Sequence, residues 1–484
     1  MNWLVIYEIL YIVILVIVCM RIIYDTRSHT KTLAYLVFAI FVPFIGIGFY
    51  LMFGINYRKR KLFSHKLVEN DVLAKKLGEE TFRYSKTTFD KSKSDVKEFK
   101  ELALMLLKDN LSPLTANNNV KLLVNGETKF PDVLEAIKEA KDHIHIEYYI
   151  YDDDETGTQV SEALIQKAKE GVTVRFMYDD FGSRSIRKRM IKMLKESGVK
   201  VFPFYKVHFI LFANRLNYRN HRKIIVIDGR IAFVGGINVA DRYVNSEKKK
   251  KLFWRDTHVR IEGPGVKYLQ YIFLCDWNFC SKEVVQPSAN LFPSPGSLPV
   301  KGKKVVQIAS SGPDSDIPTI LFSMLQGINL AEKEVLIATP YFIPGDSIMD
   351  SLQAAALGGV KIILLVPGKS DSHLVNLAAR SHYAVLLKAG VEVYMYRKGF
   401  LHSKTMVVDR KVSIVGTANM DYRSFDLNFE VNAIVYDTEF SEELAQVFFD
   451  DLKEAERVDP KLWNNRPVPI QLLEKTAGLL SPVL

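Results

Sequence analysis

Two segments of the chain carry the same reactive side chains at the same spacing. Each has a histidine, then a lysine two positions later and an aspartate five positions after that: His221, Lys223 and Asp228 in one, His402, Lys404 and Asp409 in the other. Alternate residues of a β-strand share a face, so each histidine and its lysine would point the same way. An imidazole suits proton transfer near neutral pH, and an ammonium group can hold phosphoryl oxygens. The pattern therefore indicates chemistry at a phosphoryl group.

Each aspartate is followed, after six residues, by a glycine-containing tetrapeptide that ends in asparagine. The tetrapeptides are Gly235-Gly-Ile-Asn238 and Gly416-Thr-Ala-Asn419. Glycine admits close backbone approach, and an asparagine one hairpin later can add an amide to a phosphate site. One His-x-Lys would favour an ordinary surface or core histidine. Two identically spaced copies favour a catalytic pair, with Asn238 and Asn419 as substrate-binding residues.

The copies belong to a long internal repeat. Gly171–Met177 resembles Gly359–Leu365, and Gly198–Lys206 resembles Gly390–Lys398, in the same order as the two motifs. Solenoid repeats have periods of about 20–50 residues, so a repeat this long predicts two related domains.

Each half alternates short apolar runs with helical patterns, which is typical of an α/β fold. The predicted strands are His143–Tyr151, Val172–Tyr178, Val335–Thr339 and Val360–Val366, and the predicted helices include Val160–Glu170 and Ile348–Leu357. We expect mixed sheets flanked by helices in two pseudo-symmetric lobes, residues 117–284 and 305–484. The proline-rich stretch 285–304 would link them.

The N-terminal end is apolar and predicts a membrane anchor. Trp3–Met20 is interrupted only by Glu8, and Leu33–Ile55 carries no charge. A span needs about 20 apolar residues, so the second run is the stronger candidate. We expect a two-helix transmembrane hairpin over residues 1–62, with a charged helical connector over 63–116. A cleaved signal, a buried soluble hairpin and re-entrant insertion of the first run are the alternatives.

The distribution of basic residues predicts on which side of the membrane the catalytic body lies. The basic residues Arg58–Lys61 follow the second run and predict a cytoplasmic catalytic body in a multi-pass cell-membrane protein. Arg27 and Lys31 lie between the runs, so the orientation signal is mixed.

Composition narrows the remaining classes. The 484 residues are 48% apolar and 25% charged with a net charge of +10, which excludes wholly disordered and collagenous proteins and suits an anionic partner. Three cysteines cannot form a disulfide framework and lack zinc-site spacing. The acidic run Asp152–Glu155 lacks the glycine and glutamate of an EF-hand and predicts a solvated turn. We expect no metal and no cofactor.

Three basic segments are candidate contacts with anionic lipid. They are Arg184–Lys195, Lys248–Lys251 and the His208–Asn220 loop, which is longer than its counterpart in the second half. Apolar residues beside basic ones are typical of interfacial segments. A solvated charged face is the alternative, above all for Lys248–Lys251.

The two motifs resemble the signature of the phospholipase D superfamily, His-x-Lys-x4-Asp-x6-Gly-[Gly/Ser/Thr]-x-Asn in two copies. The resemblance covers about residues 117–460. Within the superfamily, Tyr178–Ser183, Trp254–His258, Gly399–Lys404 and the apolar N-terminus resemble bacterial cardiolipin synthases. The resemblance implies one active site between two lobes and metal-independent phosphatidyl transfer through a phosphohistidine. It also implies that His221 is the nucleophile and His402 the general acid and then base, although the motif itself does not fix which histidine attacks.

The resemblance further implies a carboxylate that orients each histidine. Related enzymes hold the second ring nitrogen with a carboxylate that follows each motif, typically across the lobe interface. Asp256 and Glu430 occupy similar runs after the two motifs, and we expect Glu430 to orient His221 and Asp256 to orient His402. A strand-edge salt bridge is the alternative for either carboxylate. Asp228 and Asp409 belong to the signature, but their distance along the strand favours support of the fold.

The expected function is that of a membrane phosphatidyltransferase, which converts two phosphatidylglycerols to cardiolipin and glycerol. Hydrolytic phospholipase D activity and phosphatidyl transfer to another alcohol are alternatives, because both reactions need the same motif. A nuclease would tolerate the positive charge, but the apolar N-terminus disfavours it, and we expect no nucleic-acid partner. A non-catalytic lipid-binding scaffold is the remaining alternative. The expected partners are phosphatidylglycerol and anionic membrane lipid, and the sequence leaves the oligomeric state open.

Overall fold

A computed structural model describes residues 3–25, 29–53, 84–92, 94–110, 112–186, 188–204, 218–245, 252–281, 283–294, 302–315 and 317–481. Four expectations therefore fall wholly or largely outside the described residues. They are the basic residues Arg58–Lys61, the Lys248–Lys251 cluster, most of the His208–Asn220 loop, and the beginning of the predicted connector.

The N-terminal helices differ from the expected pair of spans. The first apolar run forms a continuous helix, α1 (Trp3–Asp25). In the described part of the chain, Val5–Asp25 is the single segment long and apolar enough to cross a membrane. The second run divides into α2 (His29–Phe41) and α3 (Pro43–Phe53), because Pro43 has no backbone N–H to continue the helix. The first run, and not the second as the sequence predicts, is therefore the stronger candidate for a membrane span.

Helix α3 folds back along α2. The rings of Tyr35 and Tyr50 lie 5.6 Å apart, whereas residues 15 positions apart in one straight helix are separated by about 22 Å. Gly46 lies against the backbone of Phe38, where any Cβ would overlap. The Tyr50 hydroxyl donates to the Asp25 carboxylate at 3.1 Å, so α3 ends close to where α1 ends. A hairpin therefore forms within the second run, and α1 packs against it, with the rings of Tyr11 and Phe44 6.2 Å apart.

The first lobe is a seven-stranded mixed sheet in the order β1-β9-β7-β6-β2-β3-β4. Its elements are β1 (Thr115–Val124), α6 (Asn125–Glu139), β2 (His143–Tyr148), α7 (Glu155–Lys169), β3 (Thr173–Asp179), α8 (Lys188–Glu196), β4 (Lys200–Phe204), β5 (Arg219–Asn220), β6 (Lys223–Ile227), β7 (Ile231–Gly235), β8 (Phe253–Arg255), β9 (Thr257–Glu262) and α9 (Val266–Ser281), preceded by α4 (Ser94–Glu98) and α5 (Lys100–Asn110). Strands β2 and β6 are buried along their whole length. The apolar, β-branched run of β6 predicts this, whereas β2 also buries His143, His145 and Glu147.

The second lobe repeats this order as β10-β19-β17-β16-β11-β13-β14, with β20 added at the edge. Its elements are β10 (Lys304–Ser311), α10 (Thr319–Asn329), β11 (Glu334–Ala338), β12 (Phe342–Ile343), α11 (Asp346–Leu357), β13 (Lys361–Pro367), α12 (His373–Ala389), β14 (Glu392–Tyr396), β15 (Gly399–Leu401), β16 (Thr405–Val408), β17 (Val412–Gly416), β18 (Met420–Asp421), α13 (Tyr422–Asp426), β19 (Asn428–Tyr436), α14 (Thr438–Lys453), β20 (Ala455–Arg457), α15 (Pro460–Asn464) and α16 (Val468–Gly478). The matching orders confirm the α/β fold with two related lobes.

The two sheets join into one. Strand β1 of the first lobe pairs antiparallel with β10 of the second, with Thr115 opposite Val306. The end of the predicted connector also enters the body, because Phe99, Leu102 and Leu106 are buried in the core of the second lobe. The lobes are therefore one continuous structure rather than two independent domains on a tether.

Candidate active site

Short parallel pairings between the lobes position both histidines. Strand β5 of the first lobe pairs with the start of β19 in the second, and the His221 N–H donates to the Phe429 carbonyl at 3.0 Å. Strand β15 of the second lobe pairs in the same way with β8 of the first, and the His402 N–H donates to the Arg255 carbonyl at 2.7 Å. Each histidine is thus held by the backbone of the opposite lobe, one residue before a carboxylate.

Those carboxylates contact the histidine rings. His221 Nδ1 lies 2.9 and 3.0 Å from the two carboxylate oxygens of Glu430, and His402 Nδ1 lies 2.6 Å from Asp256 Oδ2. The strand register makes the two carboxylates equivalent. His258 pairs with Gly235 and Asn432 pairs with Gly416, and Asp256 and Glu430 each lie two residues before these partners. An ionised carboxylate only accepts hydrogen bonds, so we assign the proton to Nδ1 and leave Nε2 for substrate chemistry. Lys404 Nζ also lies 2.9 Å from His402 Nδ1.

The motif glycines explain how the carboxylates fit. A Cβ at Gly236 would overlap the Asp256 carboxylate, so only glycine leaves room for it. The corresponding residue in the second lobe is Thr417, whose hydroxyl donates to Glu430 Oε2 at 2.5 Å. The longer glutamate side chain is therefore fixed by a hydroxyl, and the shorter aspartate by direct packing against a glycine.

Both lysines lie in the same buried cluster. Lys223 Nζ donates to the His221 carbonyl at 2.7 Å, and Lys404 Nζ contacts the His402 carbonyl. Burial lowers the pKa of Lys223 to about 7 and that of Lys404 to about 8, and Glu430 and Asp256 act on both lysines in the opposite direction. Each lysine also lowers the pKa of the histidine in the other motif. The two motifs therefore form one electrostatic site.

The histidines are neutral at pH 7. Burial and Lys404 lower the pKa of His402 to about 3, and burial lowers the pKa of His221. Lys404, His402 and further hydrogen bonds hold the pKa of Asp256 below its usual value despite burial, and His221 and Lys223 do the same for Glu430. The site at rest thus contains two neutral imidazoles, each beside an ionised carboxylate.

The motif aspartates lie at the opposite ends of their strands from the lysines. Asp228 accepts backbone N–H groups of residues 141–143 at 2.8–2.9 Å, and Asp409 accepts those of residues 332–334 at 2.8 Å. Both adopt a positive φ, 52° and 50°. The structure therefore gives them a part in holding the loops before β2 and β11, as their position along the strand indicates, and not a contact with the histidines.

The asparagines are buried, and each bonds to a neighbouring side chain. Asn238 Oδ1 accepts the Ile150 N–H at 3.1 Å, and its amide nitrogen donates to the Tyr243 hydroxyl at 2.6 Å. The Asn419 amide donates to Asp421 at 3.2 Å. Each amide nitrogen has a second hydrogen, which is the group available to a substrate oxygen.

Aromatic rings around the histidines did not follow from the motif. Tyr149 packs edge-on against His221 with ring centroids 4.8 Å apart. Around His402 lie Trp254, Tyr243 and Phe400, at 5.4, 5.6 and 5.8 Å. The sequence signal was weak: Tyr149 lies within the predicted strand His143–Tyr151, and the other three lie in separate segments of the chain that only the fold brings together.

Two expected surface features have a different structure. In the basic segment, Ile186, Met190 and Leu194 are buried in the first lobe rather than exposed to lipid, Ile191 is partly buried, and Met193 is the apolar residue of α8 that lies among its exposed basic residues. In the acidic run, Asp154 caps α7 through the Gly157 N–H at 3.0 Å and Asp152 pairs with Arg242 at 3.1 Å. That run is a structural turn, not a simple solvated one.

Comparisons with known proteins agree with this architecture. The family described as cardiolipin synthase, PLD-like domain, matches residues 133–264 and 324–452, and the family described as phospholipase D-nuclease N-terminal matches residues 9–54. The chain is 41% identical over 465 residues to cardiolipin synthase 2 of Bacillus anthracis, covering 95% of this chain and 88% of that protein. It is 40% identical over 462 residues to the cardiolipin synthase of Geobacillus sp. (strain WCH70), covering 95% and 90%.

A solved structure with the same fold is that of phosphatidylserine synthase from Haemophilus influenzae Rd KW20. It has a TM-score of 0.59 and 15% sequence identity, over 80% of this chain and all of that one. At this identity the likeness concerns the fold alone. The repeated motif, the two lobes and the extent of the sequence matches together show that the chain belongs to the cardiolipin synthase family of the phospholipase D superfamily.

Proposed function

We propose that this protein joins two phosphatidylglycerol molecules to form cardiolipin and glycerol, through a phosphohistidine. One observation supports the proposal above the others. Two neutral imidazoles, each held by a carboxylate of the opposite lobe, lie in one buried cluster with two lysines. This is the arrangement of a nucleophile and an acid–base partner on either side of one phosphorus atom.

In the first step His221 is the nucleophile. Its Nε2 lone pair attacks the phosphorus of the donor lipid, the bond from phosphorus to the glycerol oxygen breaks, and that oxygen takes a proton from His402. Glu430 stabilises the positive charge that develops on the His221 ring. His402 has a lowered pKa, and the negative charge of a bound phosphodiester raises it again, so substrate binding favours the protonated acid.

In the second step the acceptor lipid replaces glycerol. His402, now neutral, takes the proton from the headgroup hydroxyl of the second phosphatidylglycerol. The hydroxyl oxygen attacks phosphorus, the phosphorus–nitrogen bond breaks, and His221 is regenerated. Lys223 and Lys404 hold the phosphoryl oxygens in both steps, and the reaction requires no net oxidation or reduction.

Water must compete poorly with the lipid hydroxyl. Only 10% of the His221 side chain and 9% of the His402 side chain is exposed, and the aromatic rings of Tyr149 and Trp254 pack on them. Burial of both imidazoles under aromatic rings would limit the access of bulk water to the phosphohistidine and favour transfer over hydrolysis.

Product analysis tests this function. The purified protein in detergent micelles of phosphatidylglycerol is expected to release glycerol and form cardiolipin in equal amounts. His221→Ala and His402→Ala should abolish both products. Phosphatidic acid as the sole lipid product would contradict the proposal and favour hydrolysis, and unchanged turnover in both variants would favour a non-catalytic lipid-binding role.

Membership of this family and the apolar helix α1 indicate association with the membrane. We further propose that α1 spans the bilayer once and that α2 and α3 enter and leave it from the cytoplasmic side. At about 20 and 16 Å, neither short helix crosses a hydrocarbon core of about 30 Å. Under this proposal the basic residues between the two runs and those after the second run would be on the same side, which is consistent with the cytoplasmic body that the sequence predicts.

Cysteine labelling in intact cells tests the arrangement. In a background with Cys19, Cys275 and Cys280 replaced by serine, Trp3→Cys should react with an impermeant maleimide, and Lys86→Cys should react only after the membrane is permeabilised. Two spans would put both positions on the same side. Equal labelling of the two variants before permeabilisation, or of neither, would therefore contradict a single span.

A further inference from the structure

The two sides of the active site differ in charge although the lobes are related. The residue two positions before each histidine shares its face of the strand. It is Arg219 in the first lobe and Phe400 in the second. Phe400 packs on Trp254 with ring centroids 4.8 Å apart, so the wall beside His402 is aromatic. The equivalent place beside His221 is cationic.

Two arginines of the first lobe stack on one ring. The guanidinium carbon of Arg219 lies 3.9 Å, and that of Arg184 4.0 Å, from the centroid of the Phe181 ring. Arg219 is buried, whereas Arg184 is exposed. The Phe181 ring thus holds both guanidinium groups by stacking, and Arg219 also donates to the Tyr218 carbonyl at 3.4 Å.

A third arginine comes from the other lobe. Arg423 lies four residues after Asn419, as Arg242 lies four residues after Asn238. Arg242 is paired with Asp152. Arg423 and Arg219 each lower the pKa of Tyr149, which burial raises to about 12, so both act on the ring that packs against His221. We name Arg184, Arg219 and Arg423 the arginine cluster.

The carboxylates near the arginine cluster accept hydrogen bonds from the backbone. Asp179 accepts the N–H groups of Phe181, Gly182 and Asn220 at 2.7–3.0 Å. Asp421 accepts the Ser424 N–H at 2.7 Å. Burial raises the pKa of both carboxyl groups, that of Asp179 to about 6. These two carboxylates thus accept backbone N–H groups, and the three guanidinium groups place cationic side chains next to the proposed nucleophile.

The reaction proposed above needs a second anion site. An acceptor phosphatidylglycerol carries its own phosphodiester, separated by one glycerol from the hydroxyl that attacks. That second anion must lie beside the reacting phosphorus, and guanidinium groups bind phosphate oxygens in pairs. We propose that the arginine cluster binds the phosphodiester of the acceptor lipid. This inference rests on the proposed function and adds to it the site that selects an anionic lipid as acceptor.

Comparing an anionic with a neutral acceptor tests the arginine cluster apart from the chemistry. In phosphatidylglycerol micelles, incorporation of labelled glycerol into the lipid needs the donor site and His221 but no second phosphodiester. Cardiolipin formation needs the donor site, His221 and, in addition, a site for the second phosphodiester. Arg184→Gln and Arg423→Gln should each lower cardiolipin formation roughly tenfold or more, the effect of losing a hydrogen bond to a charged group, with glycerol exchange kept. Arg457→Gln, an exposed arginine of the edge strand β20, is the matched control.

The outcomes separate the two proposals. Arg184→Lys should recover part of the cardiolipin activity, because it keeps the charge but not the paired donors. Equal loss of cardiolipin formation and glycerol exchange in the Arg184 and Arg423 variants, or no loss of either, would overturn the subsite while wild-type turnover still supports the proposed reaction. A wild-type protein that performs neither reaction would overturn the proposed function itself.

Discussion

Asp256 and His402 belong to different lobes, and their side chains meet at 2.6 Å between Oδ2 and Nδ1. The same strand pairing that brings them together, β8 with β15, also joins the His402 N–H to the Arg255 carbonyl. Glu430 and His221 repeat the relationship in the reverse direction. The contacts that join the lobes are therefore the same contacts that orient the two imidazoles, and neither lobe has a complete site.

Neutralising an orienting carboxylate is the most direct test of this relationship. Glu430→Gln keeps the shape but removes the charge that stabilises a developing imidazolium on His221. We expect turnover to fall by about 10²- to 10⁴-fold, the range of general acid–base contributions, with Asp256→Asn behaving similarly at His402. Single-turnover formation of the phosphohistidine measures the effect.

The control for the carboxylate variants is Glu439→Gln. Its carboxylate is 88% exposed and pairs with Lys304 at the surface, so its loss should leave turnover unchanged. Full activity in both Glu430→Gln and Asp256→Asn would show that the cross-lobe contacts only support the fold.

A methyl group at Gly236 should act through Asp256. The added Cβ of Gly236→Ala overlaps the carboxylate, so the side chain must move away from His402. We expect a large loss of turnover with the protein still folded, checked by thermal unfolding beside the assay. Gly345→Ala is the control, since its nearest neighbour is Tyr422 at 3.4 Å. Normal turnover in Gly236→Ala would mean that the Asp256 position is not critical.

The sequence was sufficient for the repeat, the α/β class and the paired histidines and lysines, because these depend on local spacing. It could not fix the strand register between lobes, which decides that Phe429 and Arg255 hold the histidines. The sequence did not predict the arginine cluster for the same reason, since its members lie in three separate segments of the chain. At the N-terminus, we predicted one long span from the length of the second apolar run and gave too little weight to Pro43 as a turn signal. Pro43 and Gly46 together allow α3 to fold back.

The motif aspartates should matter for stability more than for chemistry. Asp409→Ala removes the acceptor for three backbone N–H groups, including that of Glu334, and leaves a positive φ at a residue less suited to it. We expect a loss of about 1–3 kcal/mol or more in the free energy of unfolding. Denaturant unfolding measures it, with activity expressed per folded molecule. A fully stable but inactive variant would instead place Asp409 in the chemistry.

The pH profile should report the buried lysines. Lys223, with a pKa of about 7, loses its proton as the pH rises through that value, and the site then holds an anionic lipid less well. The kcat/KM for phosphatidylglycerol, which reports groups of the free enzyme, should therefore fall above about pH 7. Glu430 raises this pKa, so Glu430→Gln should move the falling limb to lower pH. A limb that stays in place or moves to higher pH in this variant would assign the titration to another group.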